Sequence, residues 1–337
     1  MKAWIVEGKF GIASLKLAER EAPRPRAGEV LVRVRAASIN YRDLMVIDGV
    51  YNPTQPLPFI PVSDGAGEVV AVGEGVARVR VGDRVAGAFI QGWPGGRGAP
   101  EVMLGSTLGS PRDGVLAEYA LFDEGGAVVL PKHLSFEEAS TLPIAGVTAW
   151  RALFVDAAVR AGDTVLVQGT GGVAVFAIQL ARAAGARVIV TSSSDEKLAR
   201  AREIGAHDTI NYKATPAWDE RALELTGGVG ADVVVDVAGS TLPRSLNALR
   251  PGGQVSLIGL LAGATAQVDV VRMLQKKARI QGIYVGSRED FDDLNRALVQ
   301  HRIRPVVDRA YSFEEAPAAI EALRGAAHFG KLVIRGA

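Results

Sequence analysis

The pattern of hydrophobic and polar positions changes character near Pro131. Upstream of that residue, short β-branched runs are separated by Gly, Pro and Asp turns, as in Val-Gly-Asp-Arg at residues 81–84. Such runs predict strands, and their irregular spacing predicts a mostly antiparallel β domain. The runs lie at residues 30–36, 67–72, 81–86 and 115–122.

From residue 163 onward, apolar runs alternate with amphipathic segments of helix length. Strands are predicted at residues 164–169, 187–191, 208–211, 232–236, 254–258 and 279–284. Helices are predicted between them at residues 172–184, 195–204, 218–225 and 242–249. Because helical crossovers join the strands, the pattern predicts an α/β fold with a doubly wound parallel sheet that is covered on both faces.

The C-terminal segment predicts two helices, at residues 290–301 and 313–324, and a last strand at residues 330–335. We expect this strand to return to the β domain, which makes that domain discontinuous. The predicted division is therefore one domain from residues 1–122 and 286–337, and a second domain from residues 123–285.

Composition excludes several classes of partner and site. The 38 Lys and Arg residues nearly balance the 37 Asp and Glu residues, so we expect neither nucleic acid nor a membrane as partner. The absence of Cys excludes disulfides, thiolate metal sites and Cys nucleophiles. Residues 1–10 do not resemble a signal peptide, and no apolar run reaches the roughly 18 residues that span a bilayer. We therefore expect a cytoplasmic protein.

A glycine turn follows the first predicted strand of the α/β domain. The sequence there is Gly169-Thr-Gly171-Gly172-Val173-Ala174, which has the form G-x-G-x-x-A. The first glycine permits a tight turn, the second lets the backbone approach a pyrophosphate, and the alanine lets the helix pack on the sheet. The helix N-terminus then offers free N–H groups to the phosphates. The turn predicts a dinucleotide-binding site.

The end of the second strand favours NADP(H) over NAD(H). An NAD site usually has an acidic residue there, whereas this chain has Thr191, Ser192 and two further serines before Asp195. Hydroxyl groups and Lys197 can donate to a 2′-phosphate, which a carboxylate would repel. The alternative is that Ser194 or Asp195 only caps the next helix and that Lys197 is solvated.

Further cofactor contacts are expected where the parallel strands end, because ligands bind outside the carboxyl ends of such sheets. The residues at these ends are Ser192, Tyr212, Ala238, Gly259 and Val285.

The chain resembles the medium-chain dehydrogenase/reductase superfamily over nearly its whole length. Besides the glycine turn, the similar segments are residues 65–73, 81–85, 142–150 and the closing Gly330-Lys331. Ser-Ile-Asn-Tyr-Arg-Asp-Leu at residues 38–44, followed by Gly-Val-Tyr at 49–51, resembles the quinone oxidoreductase and enoyl reductase branches. The resemblance implies a GroES-like catalytic domain beside a Rossmann domain.

The resemblance also identifies where zinc-containing members hold their catalytic metal. Those members use Cys, His and Cys, and the matching positions here are Asn40, Ser63 and Ile144. None of these side chains supplies a thiolate or an imidazole, so no tetrahedral zinc site is expected. Residues 91–112, which match the structural-zinc lobe, contain neither Cys nor His.

Without a metal to acidify an alcohol, the favoured reaction is hydride transfer from NAD(P)H to a quinone or an α,β-unsaturated carbonyl compound. Two alternatives remain open. One is a metal-free NADP-dependent alcohol or aldehyde oxidoreductase. The other is a catalytically silent protein that binds NADPH as a sensor or structural partner.

Three residues are the candidate catalytic groups. Tyr51 matches an enoyl reductase tyrosine that protonates or orients the substrate, although it could instead pack on the Pro-rich loop at residues 52–61. Asn40 could donate its amide to a substrate carbonyl or only cap a loop. Asp64 matches an acidic family residue, and we expect it to serve as a structural hydrogen-bond acceptor. For Arg42 and Asp43 we expect ion pairs.

The resemblance adds further expectations outside this group. Thr148 resembles a threonine near the nicotinamide, although a bond to its own helix is the alternative, and Tyr212 resembles a residue near the adenosine phosphate. Lys331 is expected to reach the cofactor phosphates or to be solvated. Residues 280–285 form an apolar edge strand, which family members cover by pairing with a second copy, so a homodimer is expected.

Overall fold

The computed structural model describes residues 1–98 and 100–337. They form two compact units, the first from Met1–Val147 with Gly286–Ala337 and the second from Thr148–Val285. Within the described ranges, no helix is long and apolar enough to cross a membrane.

The strands of the first unit are β1 (Lys2–Val6), β2 (Leu15–Glu19), β3 (Glu29–Ile39), β4 (Asp64–Val72), β5 (Arg84–Gly87), β6 (Tyr119–Asp123) and β7 (Ala127–Val129). Those of the second unit are β8 (Thr164–Gln168), β9 (Arg187–Ser192), β10 (Asp208–Asn211), β11 (Ala231–Asp236), β12 (Leu249–Leu257) and β13 (Arg279–Gly282). The chain then returns to the first unit with β14 (Val307–Tyr311) and β15 (Lys331–Arg335).

The helices, in chain order, are α1 (Tyr41–Ile47), α2 (Pro100–Gly105), α3 (Phe136–Ser140), α4 (Val147–Trp150), α5 (Gly172–Ala183), α6 (Asp195–Glu203), α7 (Trp218–Leu225), α8 (Leu242–Ala248), α9 (Val270–Lys276), α10 (Arg288–His301) and α11 (Ala316–Arg324). Two π-helical turns, Leu142–Gly146 and Arg151–Val155, flank α4.

The first unit is built on a mixed sheet in the order β14-β15-β3-β4-β5-β7, with β6 also paired to β3. All its pairs are antiparallel except β14 with β15. Because β15 pairs with β3, with Leu332 opposite Ile39, the C-terminal strand does return to this unit. The mostly antiparallel first domain is confirmed.

The boundary expected after residue 122 is wrong, because the first unit continues to Val147. Strand β7 pairs with β5, with Val129 opposite Val85, and α3 packs against β3 and β4. A three-residue strand is too short to be predicted from sequence, so sequence alone assigns this segment to the α/β domain. The second boundary lies between Val285 and Gly286.

The second unit contains a six-stranded sheet in the order β10-β9-β8-β11-β12-β13, and every pair in it is parallel. Its central strands are apolar and buried, as strands covered on both faces must be. This topology confirms the predicted doubly wound sheet. The strand order reverses between β8 and β11, and such a switch point is where this fold binds its ligands.

Candidate active site

The glycine turn follows β8 and begins α5. Gly169 has a φ of 77°, a conformation that favours glycine, and its N–H donates to the Thr191 carbonyl at 2.8 Å. Gly171 is the N-cap of α5, and no side chain caps that helix end. A Cβ atom added at Gly171 would meet no heavy atom within 4 Å. The open space beside Gly171, at the N-terminus of α5, is what a bound pyrophosphate would need there.

A buried polar network lies where β8 and β11 end. Gln168 Nε2 donates to Ser245 Oγ at 2.8 Å, and Ser245 Oγ donates to Asp236 Oδ2 at 2.6 Å. Asp236 Oδ1 accepts from the N–H groups of Ala238 and Gly239 at 2.9 and 3.0 Å. The network fixes the loop that carries Ala238 at the switch point. Sequence analysis missed Asp236, although an acidic residue that closes an apolar strand was a usable signal.

The next two strands bring Ser192 and Tyr212 together. Ser192 closes β9, Tyr212 follows β10, and the Tyr212 N–H donates to the Ser192 carbonyl at 3.0 Å. The Tyr212 side chain is exposed, while Ser192 is buried. The two residues and the glycine turn all lie at the carboxyl end of the parallel sheet, where β8, β9 and β10 terminate.

The start of α6 contains the candidate helix caps, Ser194 and Asp195, and the candidate hydrogen-bond donor to a phosphate, Lys197. Ser194 caps the helix by accepting from the Lys197 N–H at 3.3 Å, so the capping alternative is correct for Ser194. Asp195 accepts from Asn211 Nδ2 at 2.8 Å. The first carboxylate after β9 is therefore bound to a neighbouring strand end, and Lys197 lies in the first turn of the helix.

The remaining cofactor candidates of the second unit differ in their surroundings. A Cβ atom at Gly259 would lie 2.3 Å from the Val237 carbonyl oxygen, so glycine there is required by packing. Thr148 is buried in α4. Val285 follows β13 with a φ of 56°, which is an unusual conformation for a β-branched residue. Their roles at the cofactor stay predictions.

In the first unit, strand pairing brings three candidate residues to one place. Leu332 of β15 lies opposite Ile39, and Ser38 of β3 lies opposite Asp64, the first residue of β4. Three neighbouring strands therefore present Lys331, Asn40 and Asp64 at the same end of the sheet.

These three side chains form a buried hydrogen-bonded chain. The Lys331 ammonium donates to the Ile39 carbonyl at 2.8 Å and to Asn40 Oδ1. Asn40 Nδ2 donates to Asp64 Oδ2 at 2.9 Å. Asp64 is fully buried and Lys331 is 4% exposed. We define this group, Lys331, Asn40 and Asp64, as the buried triad.

The triad corrects two expectations. Lys331 is neither solvated nor directed to cofactor phosphates, because its ammonium is buried on two acceptors of the first unit. Asn40 is a bridge between Lys331 and Asp64, and its amide hydrogens point to Asp64 and, at 3.4 Å, to Asp43. The amide is therefore already bound within the protein and does not point to a substrate carbonyl.

Burial controls the ionisation of the charged triad members. Burial raises the pKa of Asp64 to about 7, against the opposing effects of the Lys331 charge and the Asn40 hydrogen bond. Burial lowers the pKa of Lys331, against the attraction of Asp64 and Asp43. The structural hydrogen-bonding role expected of Asp64 is present.

A second group of contacts leads from Asp43 to Tyr51. Asp43 Oδ1 accepts from Ser63 N at 3.0 Å and from Ser63 Oγ at 2.7 Å. Ser63 Oγ in turn accepts from Arg42 Nη1 at 2.7 Å. The Arg42 guanidinium lies over the Tyr51 ring, 4.6 Å from its centre. Ser63 thus stands between Arg42 and Asp43, and the ion pairs expected for those two residues are replaced by bonds to it.

These side chains do not fit the zinc site of the zinc-containing members. Asn40 binds Lys331 and Asp64, Ser63 binds Arg42 and Asp43, and Ile144 has no side-chain donor atom. In the described ranges, no three His, Asp or Glu side chains come together in a group that could hold a metal ion.

Comparisons with known proteins agree with this architecture. The model of the alcohol dehydrogenase GroES-like domain matches residues 26–132, and that of the zinc-binding dehydrogenase matches residues 172–300. A zinc-type alcohol dehydrogenase-like protein of Schizosaccharomyces pombe is 44% identical over 333 residues, which are 96% of each chain. The chain belongs to the medium-chain dehydrogenase/reductase superfamily.

Two further similarities concern activity and cofactor. A quinone oxidoreductase of Sus scrofa is 32% identical over 323 residues, which are 93% of this chain and 90% of that one. A mycobacterial protein whose structure was solved with NADPH has a TM-score of 0.84 and 29% identity, with 99% of both chains covered. As a member of this superfamily, the chain is an NAD(P)H-dependent oxidoreductase.

Proposed function

We propose that this superfamily member transfers hydride from NADPH to a quinone or an α,β-unsaturated carbonyl compound, without zinc. The observation that carries the proposal is the set of hydrogen bonds made by Asn40 and Ser63. Both stand where zinc-containing members have metal ligands, and both are bound to charged side chains of the protein itself. A site of this kind has no Lewis acid to acidify an alcohol, whereas reduction of an electrophilic carbon needs only a hydride and a proton.

In this proposal NADPH supplies the hydride, and the chain supplies binding and a proton. The N-terminus of α5 holds the pyrophosphate, with Gly171 giving it room. Tyr51, which is 36% exposed, donates the proton of its hydroxyl to the reduced substrate and regains one from water. Asn40 and Asp64 act as structural support.

We further propose that NADP(H) is preferred over NAD(H). Ser192, Tyr212 and the start of α6 lie together where the adenosine ribose is expected, and Asp195 is held by Asn211. The test compares the Michaelis constants for NADPH and NADH. A lower constant for NADH would contradict the preference.

A second candidate is metal-free oxidation of an alcohol or reduction of an aldehyde. The name of the Schizosaccharomyces pombe relative, a zinc-type alcohol dehydrogenase-like protein, favours the alcohol as substrate. Both candidates can be separated by one panel of quinones, enones, enoyl thioesters, aldehydes and alcohols, with and without EDTA. We expect NADPH consumption with quinones or enones that EDTA does not change.

The panel is repeated with Tyr51→Phe and with Tyr119→Phe, a matched variant in β6. We expect Tyr51→Phe to lower kcat by about 10²-fold or more, the usual contribution of a general acid, and Tyr119→Phe to leave it unchanged. Turnover of alcohols alone would favour the second candidate. Tight NADPH binding without any turnover would indicate a sensor or structural protein.

A further inference from the structure

Arg42 has surroundings that the proposed reaction does not yet use. Its guanidinium lies between two aromatic rings, 4.6 Å from the centre of Tyr51 and 4.7 Å from the centre of Phe89. Phe89 is fully buried, whereas Tyr51 is exposed. The cation therefore joins the core of the first unit to the ring that carries the proposed proton donor.

The guanidinium is held in one plane by acceptors from two separate segments. Arg42 Nη1 donates to Ser63 Oγ at 2.7 Å and to the Leu108 carbonyl at 3.1 Å, and Nη2 donates to the Ser110 carbonyl at 2.7 Å. Ser63 itself is fixed because both its N–H and its hydroxyl donate to Asp43 Oδ1. A planar group held at three points presents a fixed face to the ring above it.

We propose that Arg42 is a positioning residue that fixes the Tyr51 ring by stacking, so that the phenol hydroxyl is held in line for proton donation. This inference rests on the proposed function, in which Tyr51 is the donor. The inference also gives Ser63 a role. At the position where zinc-containing members have a zinc ligand, the Ser63 hydroxyl accepts a hydrogen bond from the Arg42 guanidinium. Misplacement of a reacting group by about 1 Å can cost on the order of 10²-fold in rate, so contacts that hold the Tyr51 ring in place would preserve the rate of proton donation.

The test replaces Arg42 with Lys, which keeps the charge but loses the planar fork. Arg84→Lys is the matched control, because the Arg84 guanidinium also stacks on a ring, that of Phe136 at 4.5 Å, and donates to the Leu134 carbonyl at 2.6 Å. We expect Arg42→Lys to lower kcat for the enone or quinone by roughly tenfold to 10²-fold with little change in the KM for NADPH. Arg84→Lys should leave kcat unchanged.

The decisive measurement is kcat of the double variant, in which Arg42→Lys is combined with Tyr51→Phe. If Arg42 acts through the Tyr51 hydroxyl, Arg42→Lys has no further effect on kcat once that hydroxyl is gone. A merely structural role would instead lower kcat by the same factor in both backgrounds, which would overturn the inference. Ser63→Ala, which removes one anchor with a small change in volume, serves as a second variant, and its smaller loss of kcat should also disappear with Tyr51→Phe.

The outcomes separate the inference from the proposed function. A slow Tyr51→Phe enzyme together with additive losses overturns the role of Arg42 alone. A fully active Tyr51→Phe enzyme overturns both the donor role of Tyr51 and the positioning role of Arg42. No turnover of any quinone or enone by the native protein overturns the proposed function.

Discussion

Lys331 and Asp64 are buried base and acid groups joined by Asn40, and they carry opposite charges once the pH is above the raised pKa of Asp64. Removal of one charge leaves the other without compensation, which typically costs about 3–5 kcal/mol. We therefore expect Lys331→Met to lower the free energy of unfolding at about pH 8, where Asp64 is ionised, by about 3–5 kcal/mol, and Lys331→Met with Asp64→Asn to recover part of the loss.

Urea unfolding of the two single variants and the double variant measures this coupling. The control is Lys16→Met, whose partner Glu7 lies at 3.1 Å on the surface with side chains 61% and 47% exposed. A pair of that kind contributes about 0–1 kcal/mol. Equal small effects at Lys331 and Lys16 would contradict the buried triad.

The raised pKa of Asp64 predicts how stability depends on pH. Because the folded-state pKa is about 7 and the unfolded value is 3.8, the folded chain binds the proton more tightly over that interval. The stabilising contribution is complete below the unfolded pKa and is lost as the pH rises through the folded one. We expect the contribution of Asp64 to stability to fall between about pH 4 and pH 7, so that Asp64→Asn removes this falling component from the pH dependence. An unchanged slope in Asp64→Asn, measured by urea unfolding at each pH, would argue against the shift.

The residues of the active site were only partly predictable from sequence. Asn40, Tyr51 and Asp64 were found because a family motif marks their positions. The burial of Lys331 depends on the pairing of β15 with β3, two strands about 300 positions apart, and no local pattern reports that. The contact of Arg42 with Tyr51 and Phe89 depends on three segments meeting, so the sequence predicted only an ion pair for it.

At the scale of elements, the glycine turn makes the sharpest prediction. Gly171 has an ordinary φ of −78° and open space where a Cβ atom would lie, so the fold itself does not require glycine there. We expect Gly171→Val to fold normally but to weaken NADPH binding by about tenfold or more, because the side chain fills the space meant for the pyrophosphate.

Titration of NADPH fluorescence and thermal unfolding measure the two effects separately. Gly125→Val is the control, since a Cβ atom there also meets nothing within 4 Å and the residue lies in the first unit. Loss of stability in Gly171→Val, or unchanged NADPH affinity, would mean that the turn serves the fold rather than the cofactor.

The elements of the second unit were easier to predict than those of the first. Strand β10 and helix α7 have the bounds that the sequence predicts. Helix α7 shows the expected period, since its buried Trp218 and Ala222 are four residues apart. In the first unit, β4 begins at Asp64 rather than at residue 67. Its first positions, Asp-Gly-Ala-Gly, have no strand propensity, and only pairing with β3 makes them a strand.

At the scale of the whole molecule, β13 forms one of the two edges of the second unit's sheet, opposite β10. Strand β13 ends the strand order, and α9, which precedes it in the chain and packs against β12, has no buried residue, with Leu274 72% exposed. An edge with unpaired N–H groups and apolar neighbours is a liability for a single copy. We propose that a second copy of the chain pairs with β13 and that the protein is a homodimer.

The register of β13 shows how to test this dimer. The Ile283 N–H donates to the Leu257 carbonyl of β12, so by alternation the N–H of Gly282 points to the free edge. Gly282→Pro removes that outward donor without removing a bond to β12, whereas Gly282→Ala keeps it, and a Cβ atom at this position meets nothing within 4 Å. Light scattering after size exclusion should show twice the 35.4 kDa chain mass for the native protein and Gly282→Ala, and one chain mass for Gly282→Pro. A native protein of one chain mass would contradict pairing at this edge, and a dimeric Gly282→Pro variant would place the contact elsewhere.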